Sequence, residues 1–260
     1  MPAEIRPTER PRAFVLAMDG RDQSHVDLDD PTRLEFDYVR RIADVVDVWG
    51  EPGARTRVLH IGGAAMTLPR YVAATRPTSA QVVLEPATDV VDLVRHELPL
   101  PARSGIKVRP LDGRAGLPAF RPGSLDLVLV DAFAGGRVPA ELVTVECAAA
   151  YAGVLAADGM LVLNLVDAAP FAWTRRVVAA MRTALPELLV SAEPATWRGR
   201  RPGNLLLVAS RRRLPEPALR SRATRRAAPY RVLGGAEVSD RLGGGEPFTD
   251  ADCEPSPEGR

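Results

Sequence analysis

The chain has 260 residues, 46% hydrophobic and 26% charged, with a net charge of +1. That permits a sizeable core and supplies no global field for nucleic acid or an anionic membrane. No apolar run nears the ~20 residues of a membrane span, and Cys147, Cys253 and three histidines match no metal-ligand or disulfide spacing, so a soluble, reduced, cytoplasmic protein without metal is expected.

Residues 1–12, charged and broken by proline, are predicted to be a disordered amino terminus. The stretch 13–30 reads as a β-hairpin, with a strand-like run at 13–18, the turn pair Asp19-Gly20 and loose alternation over 23–29. At 32–49 the pattern is helical, with Leu34, Tyr38, Ile42, Val45 and Val46 near one face, and Gly50 to Gly53 ends it. Residues 13–50 are thus an amino-terminal hairpin and entry helix.

Over 51–210 short apolar runs alternate with helical segments. Strands are predicted at 58–61, 81–85, 106–109, 125–130, 160–165, 188–192 and 205–209, and helices at 68–75, 89–97, 140–155 and 171–185. Continuous apolar strands separated by helices indicate a parallel sheet covered on both faces. The connection 193–203 is too short for a crossover helix, so the last pair is predicted antiparallel. The fold class is therefore α/β: a seven-stranded, Rossmann-like, mostly parallel sheet of the class I methyltransferase type, preceded by the hairpin. Residues 211–260 begin with Arg211, Arg212, Arg213, Arg220, Arg222, Arg225 and Arg226. That stretch reads as a solvated linker, with an anion-contacting lid as the alternative. Residues 230–241 have room for one short ordered element.

Four strand ends carry candidate chemistry. Gly62-Gly63 follows the first strand of this region, where glycine lets the backbone approach a ligand, although a tight turn alone also explains it. Glu85 ends the second strand, where an acid accepts from two ribose hydroxyls. Asp112-Gly113 follows the third, where a carboxylate accepts from an adenine amine. Asp131 caps the fourth, at the carboxyl edge where open α/β sheets place ligands. Each alone fits a cap or a turn; the four in register describe a nucleoside site. No pyrophosphate-cradling loop is present, against NAD and ATP, and no Gly-x-Ser-x-Gly elbow, against a hydrolase. S-adenosylmethionine and its relatives remain among common nucleoside ligands. His60 and Cys147 read as core residues and Trp173 and Trp197 as packing residues, with the acceptor pocket as the alternative for Trp173, while Asn164 is open between a structural hydrogen bond and a ligand contact.

Asp19-Gly-Arg-Asp-Gln-Ser24 with Glu35-Phe-Asp-Tyr38 resembles the amino-terminal hairpin and entry segment of spermidine synthases. The run 58–68, Glu85, Asp112-Gly-Arg114 and 125–133 resembles that family's nucleoside-binding core, and Pro247-Phe-Thr-Asp-Ala-Asp252 with Pro255 its closing segment. The resemblance spans roughly residues 13–255. It implies that Gln23 contacts the donor, Glu85 the ribose, Asp112 the adenine and Asp131 the reacting region, with Tyr38, Phe133 and Asp250 beside a small-molecule acceptor. The family tends to dimerise, so the resemblance leaves a homodimer open. The family's turn aspartate, which holds the donor's aminopropyl amine, is replaced by Ala65; its Tyr-His pair becomes Tyr38-Val39; and its second loop acid is lost in Asp131-Ala-Phe-Ala-Gly135. Methyl transfer from S-adenosylmethionine is the favoured expectation. Aminopropyl transfer from decarboxylated S-adenosylmethionine to a polyamine and a non-catalytic nucleoside-binding protein are the alternatives. Nucleic-acid binding is not expected, since no aromatic residue interleaves the arginines before Tyr230.

Overall fold

The computed structural model describes residues 3–259. Two compact units divide the chain, Met1–Gly113 and Arg114–Arg260, with the boundary inside the segment read from sequence as one domain over 51–210.

In the first unit β1 (Ala3–Pro7), β2 (Ala13–Met18) and β3 (Arg21–Asp27) form an antiparallel sheet in that order. Asp19 and Gly20 both have positive φ, the requirement of a two-residue hairpin turn of the primed type. The predicted disorder of 1–12 is corrected from residue 3 onward: Ala3–Pro7 pairs with β2 from Ala3↔Met18 to Pro7↔Phe14. An edge strand tolerates charge and a terminal proline, because one side of its ladder faces water. Residues 1 and 2 of that segment lie outside the described residues.

The entry helix α1 (Asp37–Val48) buries Val39, Ile42, Val45 and Val46, the apolar stripe of its periodicity. There follow β4 (Arg57–Ile61), α2 (Thr67–Thr75), β5 (Ala80–Leu84), α3 (Thr88–Glu97) and β6 (Ile106–Arg109). The three strands are parallel, in the order β4-β5-β6. Leu16 and Val26 of the small sheet, Ala65 and Met66 of the turn after β4, Val83, and Val90, Val91 and Val94 of α3 share one buried cluster.

The second unit follows α4 (Gly113–Gly116) with β7 (Leu125–Val130), α5 (Val145–Val154), β8 (Leu155–Asp167), α6 (Ala172–Arg182) and β9 (Glu187–Ala192). It continues through α7 (Pro194–Trp197), β10 (Gly203–Ser210), α8 (Glu216–Arg225), β11 (Arg231–Gly234) and α9 (Gly235–Leu242). Its strand order is β11-β9-β10-β8-β7. Strands β7 and β8 are parallel, and β10 is antiparallel to both β8 and β9, as the short connection predicts.

The second unit adds one strand to those predicted for the sheet. The extra strand, β11, pairs antiparallel with β9 and buries Val232 and Leu233; four residues are too few to display a period. The linker reading of the arginine stretch is corrected too. Helix α8 buries Leu219 and Ala223, four residues apart, and packs on β11. Arg220 pairs with Glu216 at 2.8 Å and with Glu237 of α9. Arg211 donates to the carbonyls of Ala152 and Leu155, both at 2.7 Å, where a cation complements the carboxyl end of α5. Two buried apolar residues among so many arginines leave a helical period too faint to read. Among the described residues no helix is long and apolar enough to cross a membrane.

Candidate functional site

In the first unit the carboxyl ends of β4, β5 and β6 lie side by side: the Gly62 amide donates to the Leu84 carbonyl and the Glu85 amide to that of Arg109. Parallel register therefore brings the glycine turn, Glu85 and the Asp112 segment to one sheet edge. Glu85 is more deeply built in than its spacing suggests. One carboxylate oxygen accepts from the Gly63 amide at 2.9 Å and the Ala64 amide at 3.3 Å, and the other accepts from Ala87 at 3.1 Å. A carboxylate offers about four lone-pair positions. Three backbone bonds leave it room for about one further donor before a turn amide has to yield. Sequence reasoning missed this organising role, because backbone partners leave no mark in residue types.

The turn is conformationally demanding, with Ala64 at φ 41° and Met66 at φ 62°, a region non-glycine residues seldom enter. It is held from β3, whose Ser24 hydroxyl accepts from the Ala65 amide at 3.4 Å, while the Thr67 hydroxyl donates to the His25 carbonyl at 2.9 Å. A Cβ on Gly63 would meet Val83 Cγ1 at 2.8 Å and Met66 Cε at 2.9 Å. Gly63→Ala is therefore expected to overpack this site by about 1–3 kcal/mol and lower the Tm by roughly 2–10 °C. A melting curve checks this, and an unchanged Tm contradicts the close approach.

Gln23 is the extra residue of a β-bulge: Leu16 pairs with Ser24 and Ala17 with Asp22. Bulges re-aim a side chain beside functional sites. Its amide nitrogen reaches the Arg21 carbonyl at 3.5 Å. Asp112 is exposed just past β6, and Gly113, buried, opens α4. Tyr38, half-buried in the first turn of α1, stacks on Phe36 with ring centroids 6.0 Å apart. His60 is a core residue, its Nε2 paired with Gln81 Oε1 at 2.8 Å, and burial pushes its pKa down to about 4.

The second unit carries Asp131, one residue beyond β7. Val130 pairs with Leu163, so Asp131 falls beside Asn164 of β8. The Asn164 amide nitrogen donates to Asp131 Oδ1 at 2.8 Å, and its amide oxygen accepts from Asn204 of β10 at 3.1 Å. The structural hydrogen bond that the sequence left open for Asn164 is thus present. Burial disfavours the charged carboxylate and pushes the Asp131 pKa up to about 6, against the lowering effect of the Asn164 bond. A carboxyl group titrating there suits proton transfer near neutral pH. Ala132 and Phe133, half-buried, continue the loop.

Asp250, expected beside the acceptor, makes two side-chain contacts within the protein. Its Oδ1 accepts from the Thr144 hydroxyl at 2.7 Å and its Oδ2 from Arg114 at 2.9 Å. Thr144 is itself the N-cap of α5, accepting from the Cys147 amide. Asp250 thus fastens the closing segment to a helix cap, with both oxygens engaged inside the protein. Trp173 packs against Phe248 and donates to the Glu254 carbonyl at 3.0 Å, and Trp197 packs edge-on to Phe171. Cys147 is buried in α5.

Among solved structures, the chain is similar to a probable spermidine synthase from Corynebacterium glutamicum, at 27% identity over 95% of this chain and 92% of that one, with a TM-score of 0.88. The chain therefore has a spermidine synthase-like fold. The spermidine synthase-like fold is shared more distantly by the spermidine synthase of Thermotoga maritima, at 16% identity, 92% and 80% coverage and a TM-score of 0.61. It is shared also by human methyltransferase-like protein 13, solved in complex with SAH, at 17% identity, 71% and 88% coverage and a TM-score of 0.61. These two likenesses concern the fold alone, which is of the class I methyltransferase type. No protein-family model matches the chain, and no curated protein matches it.

Proposed function

We propose that the protein binds S-adenosylmethionine through Gln23, Gly62, Gly63, Glu85, Asp112 and Gly113 of the first unit and transfers its methyl group to a small acceptor, with Asp131 of the second unit as base. The acceptor's nucleophile attacks the carbon beside the sulfonium. A new bond to that carbon forms as the carbon–sulfur bond breaks, its electron pair neutralises the sulfur, and the acceptor's proton passes to the Asp131 carboxylate. Positioning supplies most of the rate in such a displacement.

The observation that carries methyl transfer is Ala65. It is fully buried in the apolar cluster with Leu16, Val26 and Val83, at the turn position where the resemblance implies an acid holding the aminopropyl ammonium. Burying an ammonium there without a partner costs several kcal/mol. Likeness to a probable spermidine synthase over 95% of the chain favours a second reading, aminopropyl transfer from decarboxylated S-adenosylmethionine. Incubation with each donor and a panel of amine and hydroxyl acceptors, read by product mass, separates them. Methylated products are expected. Conversion of putrescine with the decarboxylated donor at enzymatic rates overturns the reading of Ala65. Tight S-adenosylhomocysteine binding by calorimetry without turnover on any acceptor replaces both readings with a non-catalytic binding protein.

A further inference from the structure

The bond from Asn164 to Asp131 is the end of a chain, and its direction is set by chemistry. An ionised aspartate only accepts hydrogen bonds, so Asn164 must turn its amide nitrogen towards Asp131. Its amide oxygen then faces β10, where Asn204 must present nitrogen, as it does at 3.1 Å. Asn164 is 1% exposed, and a buried amide has to be satisfied by protein groups. Antiparallel register supplies the partner: Asn164 stands opposite Leu206, and Asn204, two residues along β10, shares its face. Without Asn204, nothing in this chain of bonds fixes which end of the Asn164 amide faces the acid.

We infer that Asn204 and Asn164 form a directional relay that holds Asp131 in its acceptor-only, ionised form and aims the carboxylate for proton transfer. Both asparagines are positioning residues. The inference rests on the reading of Asp131 as the base. Burial and the Asn164 bond act on this carboxyl in opposite directions, so loss of the relay leaves burial unopposed.

The test is the titration of the Asp131 carboxyl carbon by carbon-13 NMR on the full chain labelled at aspartate, with the resonance assigned by its loss in Asp131→Asn. Asn164→Leu is expected to raise the midpoint by about one pH unit, the scale of one hydrogen bond to a charged group. Asn204→Leu is expected to raise it by less, and the double variant to match Asn164→Leu alone, as a relay through Asn164 requires. An unchanged midpoint in Asn204→Leu, or shifts that add in the double variant, overturns the relay. Should Asn164→Leu not fold, Asn204→Leu against the wild type decides alone. The titration needs no substrate. Failure of the transfer assays with an intact relay signature rejects the proposed function only, and active transfer with no Asn204 effect rejects the relay only.

Discussion

Asp131→Asn is expected to lower the transfer rate by about 10²–10⁴-fold while leaving S-adenosylhomocysteine binding within a few-fold of the wild type. Asparagine keeps the shape of the carboxylate but cannot take the acceptor's proton. For the unaltered protein, kcat/KM should rise with pH through about 6, where Asp131 loses its proton, and then level off. A pH profile without an inflection near 6, or a variant as active as the wild type, removes Asp131 from the mechanism. Stability moves the other way. With the folded pKa raised from 3.8 to about 6, the native state binds the proton more tightly than the unfolded chain does. The stabilisation is fully present below about pH 4 and is lost as pH rises through about 6. At about 1.4 kcal/mol per pKa unit the loss reaches at most about 3 kcal/mol. Above pH 6, Asp131→Asn should therefore melt several degrees higher than the wild type. Lower activity with higher stability is the combination expected of a group strained for function.

Glu85→Ala is expected to abolish measurable S-adenosylhomocysteine binding, a loss of at least about 100-fold, and to destabilise the fold. Removing the carboxylate strands the amides of Gly63, Ala64 and Ala87, and each donor left unsatisfied costs about 1–3 kcal/mol unless water reaches it. Part of that cost falls on the turn itself, where Ala64 and Met66 already hold positive φ. Glu85→Gln is the milder comparison, because its amide oxygen can keep the Gly63 and Ala64 bonds while one ligand acceptor becomes a donor. Calorimetry with S-adenosylhomocysteine, alongside melting curves, separates the two effects. A Glu85→Ala protein that binds as tightly as the wild type rules out the nucleoside reading of this edge.

Ala65 shows how local the methyl-against-aminopropyl question is. In the proposed function the same turn serves either donor, and what differs is whether position 65 offers a charge. Here it lies fully buried among Leu16, Val26 and Val83, so the apolar contacts across the turn argue against an ammonium at that point.

The sequence by itself determined the sheet-forming core and the strand ends that carry Gly62, Glu85, Asp112 and Asp131. Buried strands are continuous apolar runs, and residues at their carboxyl ends follow at fixed offsets. It determined the antiparallel β10 as well, since connection length limits topology. The tertiary structure decided what such periods and offsets cannot carry. Strand β1 and helix α8 exist because neighbours cover their few apolar residues, although their own composition is charged. Asp250 serves a helix cap because Thr144 and Arg114 meet it from more than a hundred residues away. Glu85 organises the glycine turn through backbone amides, which are the same for every residue type. Asn164 and Asn204 become one relay with Asp131 only because the registers of β7, β8 and β10 place three distant side chains on one line. Hydrogen bonds between residues remote in sequence depend on register, and register is a property of the assembled sheet.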